Sequence, residues 1–278
     1  FADPPDATDA NVSQDEFVNF VKAHAGNTKV VLTLDNQPEI WWQTHIALHP
    51  AHTTYEEVVA RNTEYAKMLR DNWPTAEITG YGGYGYYAFI NLQDAPGRPN
   101  VEFLDYYLAS MKAESDAAQV RLIDYLDVHW YPEFPNTVED RVQAPRSLWD
   151  PTYIENSWIG GSVGAIRLVP WLRAKIDQYY PGTKVAISSY SYGGGEQISG
   201  AIAVADALGV FGREGVSLAA VEPEAGTNTF TRAAFAAYRN YDGAGARFGD
   251  QSVRATTTDE ARVSVHASTD SKVANRVV

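Results

Sequence analysis

The stretch Lys29-Val30-Val31-Leu32-Thr33-Leu34-Asp35-Asn36-Gln37-Pro38-Glu39-Ile40-Trp41-Trp42 decides how the rest of the chain is read. Residues 29–34 form a short apolar run rich in β-branched side chains, the pattern of a buried strand. The run stops at Asp35-Asn36-Gln37, where side chains begin to compete for backbone hydrogen bonds, and Pro38 then forbids a further ladder partner. Trp41 and Trp42 follow at once. A buried strand thus opens directly into a polar turn flanked by large aromatics.

Outward from this stretch, helical and strand patterns alternate. Residues 15–25 set Phe17, Val18, Phe20 and Val21 on a helical face, with Ser13 or Asp15 as N-cap. Residues 54–72 predict a long amphipathic helix that opens on Thr54-Tyr55-Glu56-Glu57 and stops at Trp73-Pro74. Residues 77–80 begin a strand that enters the glycine- and tyrosine-rich 80–87, expected to be a strand-to-loop segment. Residues 101–114, continued to 122, are helical, and 123–130 are a strand leaving through Tyr131-Pro132-Glu133. Residues 145–157 predict a loop or broken turn. Residues 164–180 are a helix ended by Pro181-Gly182, and 184–188 a strand. Helix 198–208 closes near Gly209, strand 216–221 follows, and then helix 231–241.

Five strands near residues 29, 77, 123, 184 and 216, with helices between, predict parallel βαβ units and an α/β fold. Residues 1–245 are expected to form one barrel-like region. Residues 246–278 are polar and β-prone, a tail or the start of a β-sandwich.

Composition narrows the function. The net charge of −13 argues against nucleic acid or an anionic membrane as partner, since both require basic surface. No apolar run is long enough to span a membrane. The start, Phe1-Ala2-Asp3-Pro4-Pro5-Asp6, has neither the basic nor the apolar part of a signal peptide. The absence of cysteine excludes disulfides, thiolate catalysis and Cys-based zinc sites. Tyr, Trp and Phe number 17, 7 and 10, enough to fill a core and still line a sugar-binding cleft.

Several motifs in chain order resemble glycoside hydrolase family 44, the endoglucanase and xyloglucanase family. They are Leu34-Asp35-Asn36-Gln37-Pro38 with Trp41, Thr44-His45, His49-Pro50, Leu126-Asp127-Val128-His129-Trp130-Tyr131-Pro132-Glu133 and the run 144–155 with Ser157-Trp158-Ile159. Tyr190, Tyr192-Gly193-Gly194-Gly195, residues 209–213 and Asn240-Tyr241-Asp242-Gly243 complete the series. The resemblance implies a (β/α)8 TIM-barrel fold with its site at the carboxyl ends of the strands. The five strands correspond to the family's fourth to eighth. Five strands do not close an eight-stranded barrel, so an incomplete barrel or an open curved parallel sheet is expected. The resemblance also implies a secreted protein, a β-glucan ligand and no cofactor. It leaves metal content and oligomeric state open.

Retaining glycosidases use two carboxyl groups, an acid/base and a nucleophile. By resemblance the acid/base maps onto Gln37 and the nucleophile onto Ser189. Gln37 can hydrogen-bond a glycosidic oxygen but has no proton to give, and Ser189 is too short to reach an anomeric carbon. Asn36 keeps the family's hydrogen-bonding role toward the sugar. Glu222 stands where the family has a tryptophan floor. Trp41, His45, His129, Trp130, Tyr131, Tyr190, Tyr192 and Glu222 are expected to contact substrate. The chain is therefore expected to be a catalytically impaired glycosidase of the endo-β-1,4-glucanase or xyloglucanase type, a non-catalytic β-glucan-binding pseudoenzyme, or an engineered inactive variant.

Three other constellations compete. His45, His49 and His52 have near-helical spacing, but Pro50 interrupts it, so structural or substrate contacts are favoured over zinc. Gly80-Tyr81-Gly82-Gly83-Tyr84-Gly85 superficially suggests a phosphate loop, yet lacks the Lys-Ser/Thr ending and a following helix start. Ser189-Tyr190-Ser191-Tyr192-Gly193 resembles the nucleophile elbow of α/β-hydrolases, with Ser191 as nucleophile, Glu222 or Glu224 as acid and His266 as base. Glu222 with Glu133 is a further conceivable carboxylate pair.

Overall fold

The computed structural model describes Phe1, Thr8, residues 10–273 and residues 277–278. The stretch Ala2-Asp3-Pro4-Pro5-Asp6 and residues 274–276 of the C-terminal segment lie outside the described residues. In chain order come α1 (Gln14–Ala25), β1 (Val31–Thr33), α2 (Trp41–Thr44), α3 (Tyr55–Asn72), β2 (Glu77–Gly83), α4 (Tyr86–Asn91), α5 (Phe103–Ala118) and β3 (Tyr125–Trp130). Then follow α6 (Val138–Gln143), α7 (Trp158–Val163), α8 (Leu168–Tyr179), β4 (Lys184–Tyr190), α9 (Ile198–Glu214), β5 (Val216–Val221) and α10 (Thr229–Arg239). Two short strands, β6 (Gln251–Val253) and β7 (Ala267–Thr269), close the chain.

The sheet has five strands in the order β1-β2-β3-β4-β5, so it is open, with β1 and β5 each paired on one side. It is the parallel half-barrel arrangement that the alternating sequence pattern predicts. Val31 of β1 registers on Glu77, and Thr79 of β2 on Tyr125. Contacts divide the chain into two compact units, residues 1–129 with 175–186 and residues 130–174 with 187–278.

In the first unit, α3 and α5 bury their apolar stripes with β2 and β3. Val58, Ala66 and Leu69, then Phe103, Leu104, Tyr107 and Met111, then Ile78, Leu126 and Val128 are all buried. A fully buried Leu, Ile or Phe is worth about 1.5–3 kcal/mol, so this stripe outweighs any single helix cap. The caps set the ends: Thr54 Oγ1 accepts from Glu57 N–H at 3.2 Å and starts α3 where the Thr-Tyr-Glu-Glu pattern predicts. At the amino end of the sheet, Glu77 pairs with Lys29 at 2.6 Å and Lys184 at 2.7 Å, and Tyr125 Oη donates to it at 2.6 Å. The Lys184 and Lys29 ammonium groups and the tyrosine hydrogen bond hold the Glu77 carboxyl down to about 2.

The glycine-rich stretch is a close-packed strand through Gly83, and a six-residue helix, α4, follows it. The expectation that no helix start follows is thereby corrected. A Cβ on Gly80 would fall 2.2 Å from Tyr107 Oη, and one on Gly83 2.1 Å from Tyr81 Oη. These glycines make room for buried tyrosine rings.

In the second unit, α9 buries Ala203, Val204, Ala207, Val210 and Phe211, and β4 buries Ile187 and Tyr190. Residues 158–163, between the expected loop 145–157 and the expected helix from 164, form α7, which Ser157 caps by accepting from Gly160 N–H at 3.2 Å. The C-terminal β6–β7 pair belongs to this unit and is antiparallel.

Candidate active site

In the first unit the turn after β1 is held in a strained form. Asp35 and Gln37 have φ of +77° and +49°, a left-handed region that costs a side chain energy. Neighbouring groups over-determine it. Gln37 N–H donates to Gly82 O at 2.8 Å, Trp41 Nε1–H to Asn36 O at 3.0 Å, and Thr53 Oγ1 to Pro38 O at 2.6 Å. Pro38 then opens a short 3-10 turn, Pro38–Ile40. The result presents Asn36 to solvent and aims the Gln37 side chain at His129, at the end of β3.

Gln37 Nε2 lies 2.8 Å from His129 Nδ1. As placed, the amide nitrogen donates and Nδ1 accepts. His129 itself is 4% exposed. A carboxylic acid at position 37 would have a proton to pass along this contact, and the amide has none.

Glu39 lies two residues on and does not share this outlook. It is 1% exposed, its Oε1 accepts from Tyr84 N–H, and its Oε2 has no hydrogen-bond partner among the described residues. Burial pushes its carboxyl up to about 7, against the opposing backbone hydrogen bond from Tyr84. The only sequence signal for this buried acid is its place inside the apolar run Pro38-Glu39-Ile40-Trp41.

Trp41 is half-buried. His49 meets its ring edge-on at 5.5 Å and the Arg61 guanidinium stands 5.8 Å from its centre. Trp41, Asp35, Arg61, Leu34, Phe17 and Tyr65 line a cavity of about 330 Å³ beside β1. The three clustered histidines separate. His45 Nδ1 meets Thr44 Oγ1 at 2.8 Å, His49 Nε2 meets Glu57 Oε1 at 2.9 Å, and His52 stacks on Trp42 at 4.1 Å. Each ring thus has its own partner.

In the second unit the ends of β3, β4 and β5 bring together Tyr131, Ser189 and Glu222. Tyr131 Oη donates to Glu222 Oε2 and accepts from Ser189 Oγ at 2.5 Å, and Ser189 Oγ stands 3.2 Å from the same carboxylate oxygen. Glu222 N–H donates to Tyr190 O at 2.9 Å, which fixes the start of the β5 exit against the end of β4. Sequence spacing could not reveal this trio, because its members are separated by whole helices.

Three expected contact residues are in the core instead. Trp130, Tyr190 and Tyr192 are 1%, 0% and 2% exposed, so their rings pack internally and offer no stacking face. Burial holds the Tyr190 hydroxyl well above its ordinary value. Glu133 accepts from Trp158 Nε1–H, apart from the Glu222 cluster. The elbow reading of Ser191 is corrected too. Ser191 Oγ accepts from Gly193 N–H at 3.2 Å, Glu224 Oε2 from Gly195 N–H at 2.7 Å, and His266 Nε2 engages Asp206 Oδ1 at 2.7 Å. The His266 ring lies under Gly209, where a Cβ would come within 2.2 Å of it. Nucleophile, acid and base candidates are each committed elsewhere.

Polar side chains at the carboxyl ends of parallel β/α strands follow the arrangement of barrel folds. The family model described as glycoside hydrolase family 44 matches residues 1–134. Endoglucanase A of Paenibacillus lautus is 43% identical over 96% of this chain, and the beta-mannanase/endoglucanase A of Caldicellulosiruptor saccharolyticus is 39% identical over 95%. A family 44 endoglucanase from Clostridium thermocellum superposes with a TM-score of 0.92 at 40% identity over the full chain. A Paenibacillus polymyxa family 44 xyloglucanase solved with xyloglucan gives 0.91 at 39% identity over 98% of it. Over nearly its whole length the chain is thus similar to proteins of glycoside hydrolase family 44. It spans 42% and 22% of the two curated relatives, and 59% and 58% of the two solved chains.

Proposed function

We propose that the chain is an endo-β-1,4-glucanase or xyloglucanase-type protein that binds β-glucan and hydrolyses it weakly or not at all. The observation that carries this reading is the chemistry at two strand ends. Gln37, in the acid/base place implied by the family motif, donates from an amide to His129 Nδ1 at 2.8 Å. Ser189, in the nucleophile place, has only a hydroxyl to offer. A positioned general acid contributes about 10²–10⁴-fold, and that contribution is forfeited here. Asn36, Trp41, His45 and Tyr131 remain at least partly exposed as sugar contacts. The relatives' names support glucan as ligand, and a polymeric ligand suits action outside the cell. No helix among the described residues is long and apolar enough to cross a membrane.

Titration calorimetry with cellohexaose and with xyloglucan oligosaccharides tests the binding half of the reading. Saturable heat with at least one of them is expected. Absence of binding to both, in a sample shown to be folded, overturns it.

A further inference from the structure

The vacated nucleophile place is not without a carboxylate. Glu222 reaches it from the neighbouring strand: its Oε2 stands 3.2 Å from Ser189 Oγ. A glutamate at position 189 would extend its own carboxylate past the point where that Oγ stands. Glu222 is exposed, and its backbone is fixed by the hydrogen bond to Tyr190 O at 2.9 Å. Tyr131 Oη donates to Oε2 and accepts from Ser189 Oγ, which stands 3.2 Å from the same oxygen. The two hydroxyls orient the carboxylate and leave Oε1 as its attacking oxygen. This relay of hydrogen bonds, Ser189 to Tyr131 to Glu222, also fixes the rotamer of a side chain that would otherwise sweep freely in solvent. The small Ser189 side chain clears the volume that Glu222 enters.

We infer that Glu222 is a relocated catalytic nucleophile, acting from the end of β5 in the space left by serine at 189, on β-glucosides whose leaving group needs no proton. The inference rests on the glucan reading above. In the first step, a lone pair of Glu222 Oε1 forms a bond to the anomeric carbon. The bond from that carbon to the aglycone oxygen breaks, and its electron pair departs with the aglycone. A 2,4-dinitrophenolate leaves in this way without protonation. A sugar alkoxide does not, and Gln37 has no proton to supply. In the second step, water oxygen bonds to the anomeric carbon and the ester bond returns its electron pair to Glu222. The surplus water proton passes to buffer, and the product is the reducing sugar. Tyr131 is a positioning residue in this scheme.

The test uses the chain as it stands, with 2,4-dinitrophenyl β-cellobioside and its 2-deoxy-2-fluoro analogue. Release of dinitrophenolate above the buffer rate is expected. The fluoro analogue is expected to add one fluorocellobiosyl group per chain, on a peptide containing Glu222. Glu222→Gln should lower the rate roughly a hundredfold or more, the lower end of what one positioned catalytic group contributes. It should also abolish labelling. A label on Tyr131 or any other residue, or an unchanged rate in Glu222→Gln, overturns the inference. Cellohexaose binding with no aryl glycoside turnover overturns the inference and leaves the glucan reading standing. Absence of binding to both cellohexaose and xyloglucan oligosaccharides overturns both.

Discussion

At position 37 the proposed function turns on the difference between a carboxyl, which can give a proton, and an amide, which cannot, and the backbone holds that side chain in place at the cost of a left-handed φ of +49°. Two residues on, Glu39 shows what burial does to a carboxyl the turn does not expose. Its folded value is raised to about 7 from an ordinary 4.5, so its stabilising contribution is full below about 4.5 and is lost as pH rises through 7. Glu39→Gln should therefore match the parent near pH 4.5 and be more stable at pH 8, by about 1–3 kcal/mol, the usual cost of an unmet buried polar group. Denaturant midpoints at the two pH values check this. The positions of Gln37 and Ser189 were legible in the sequence because each follows an apolar run inside a long motif. The burial of Trp130, Tyr190 and Tyr192 was not. Aromatics at a strand's end satisfy a core or a cleft equally well in sequence, and the choice depends on which face other elements cover. A fluorophosphonate probe should leave Ser191 unlabelled, since His266 is held by Asp206 at 2.7 Å.

At the scale of elements, the five strands and the long helices were legible because their periods persist over many residues. Helices α2, α4, α6 and α7 were not, since four to six residues are too few to establish a period. The run 80–87 misled for a different reason: its glycines serve packing rather than ligand approach. Gly83→Ala would drive a methyl group to 2.1 Å from the buried Tyr81 hydroxyl, and should cost about 1–3 kcal/mol as overpacking does. Thr54→Ala removes the α3 cap and should cost about 1 kcal/mol. Thermal or denaturant unfolding of the two variants checks both values, and their order reports whether strand packing or capping matters more in this unit.

At the scale of the whole molecule, opposite ends of the sheet carry opposite tasks. The amino end is stapled by charge at Glu77. Because that carboxyl is depressed to about 2, its stabilisation is present above about 4.5 and is lost as pH falls through 2. Glu77→Gln should lose about 1 kcal/mol at pH 7, a modest figure for a solvated network, with the deficit vanishing near pH 2. The carboxyl end holds Gln37 and Ser189, the two positions on which the proposed function rests. The most direct measurement is reducing-sugar release from xyloglucan and carboxymethylcellulose by the chain as given, beside its Gln37→Glu/Ser189→Glu double variant. Release at or near background from the chain as given, with a gain of about 10²-fold or more in the double variant, is the predicted result. Robust hydrolysis by the chain as given would contradict the account.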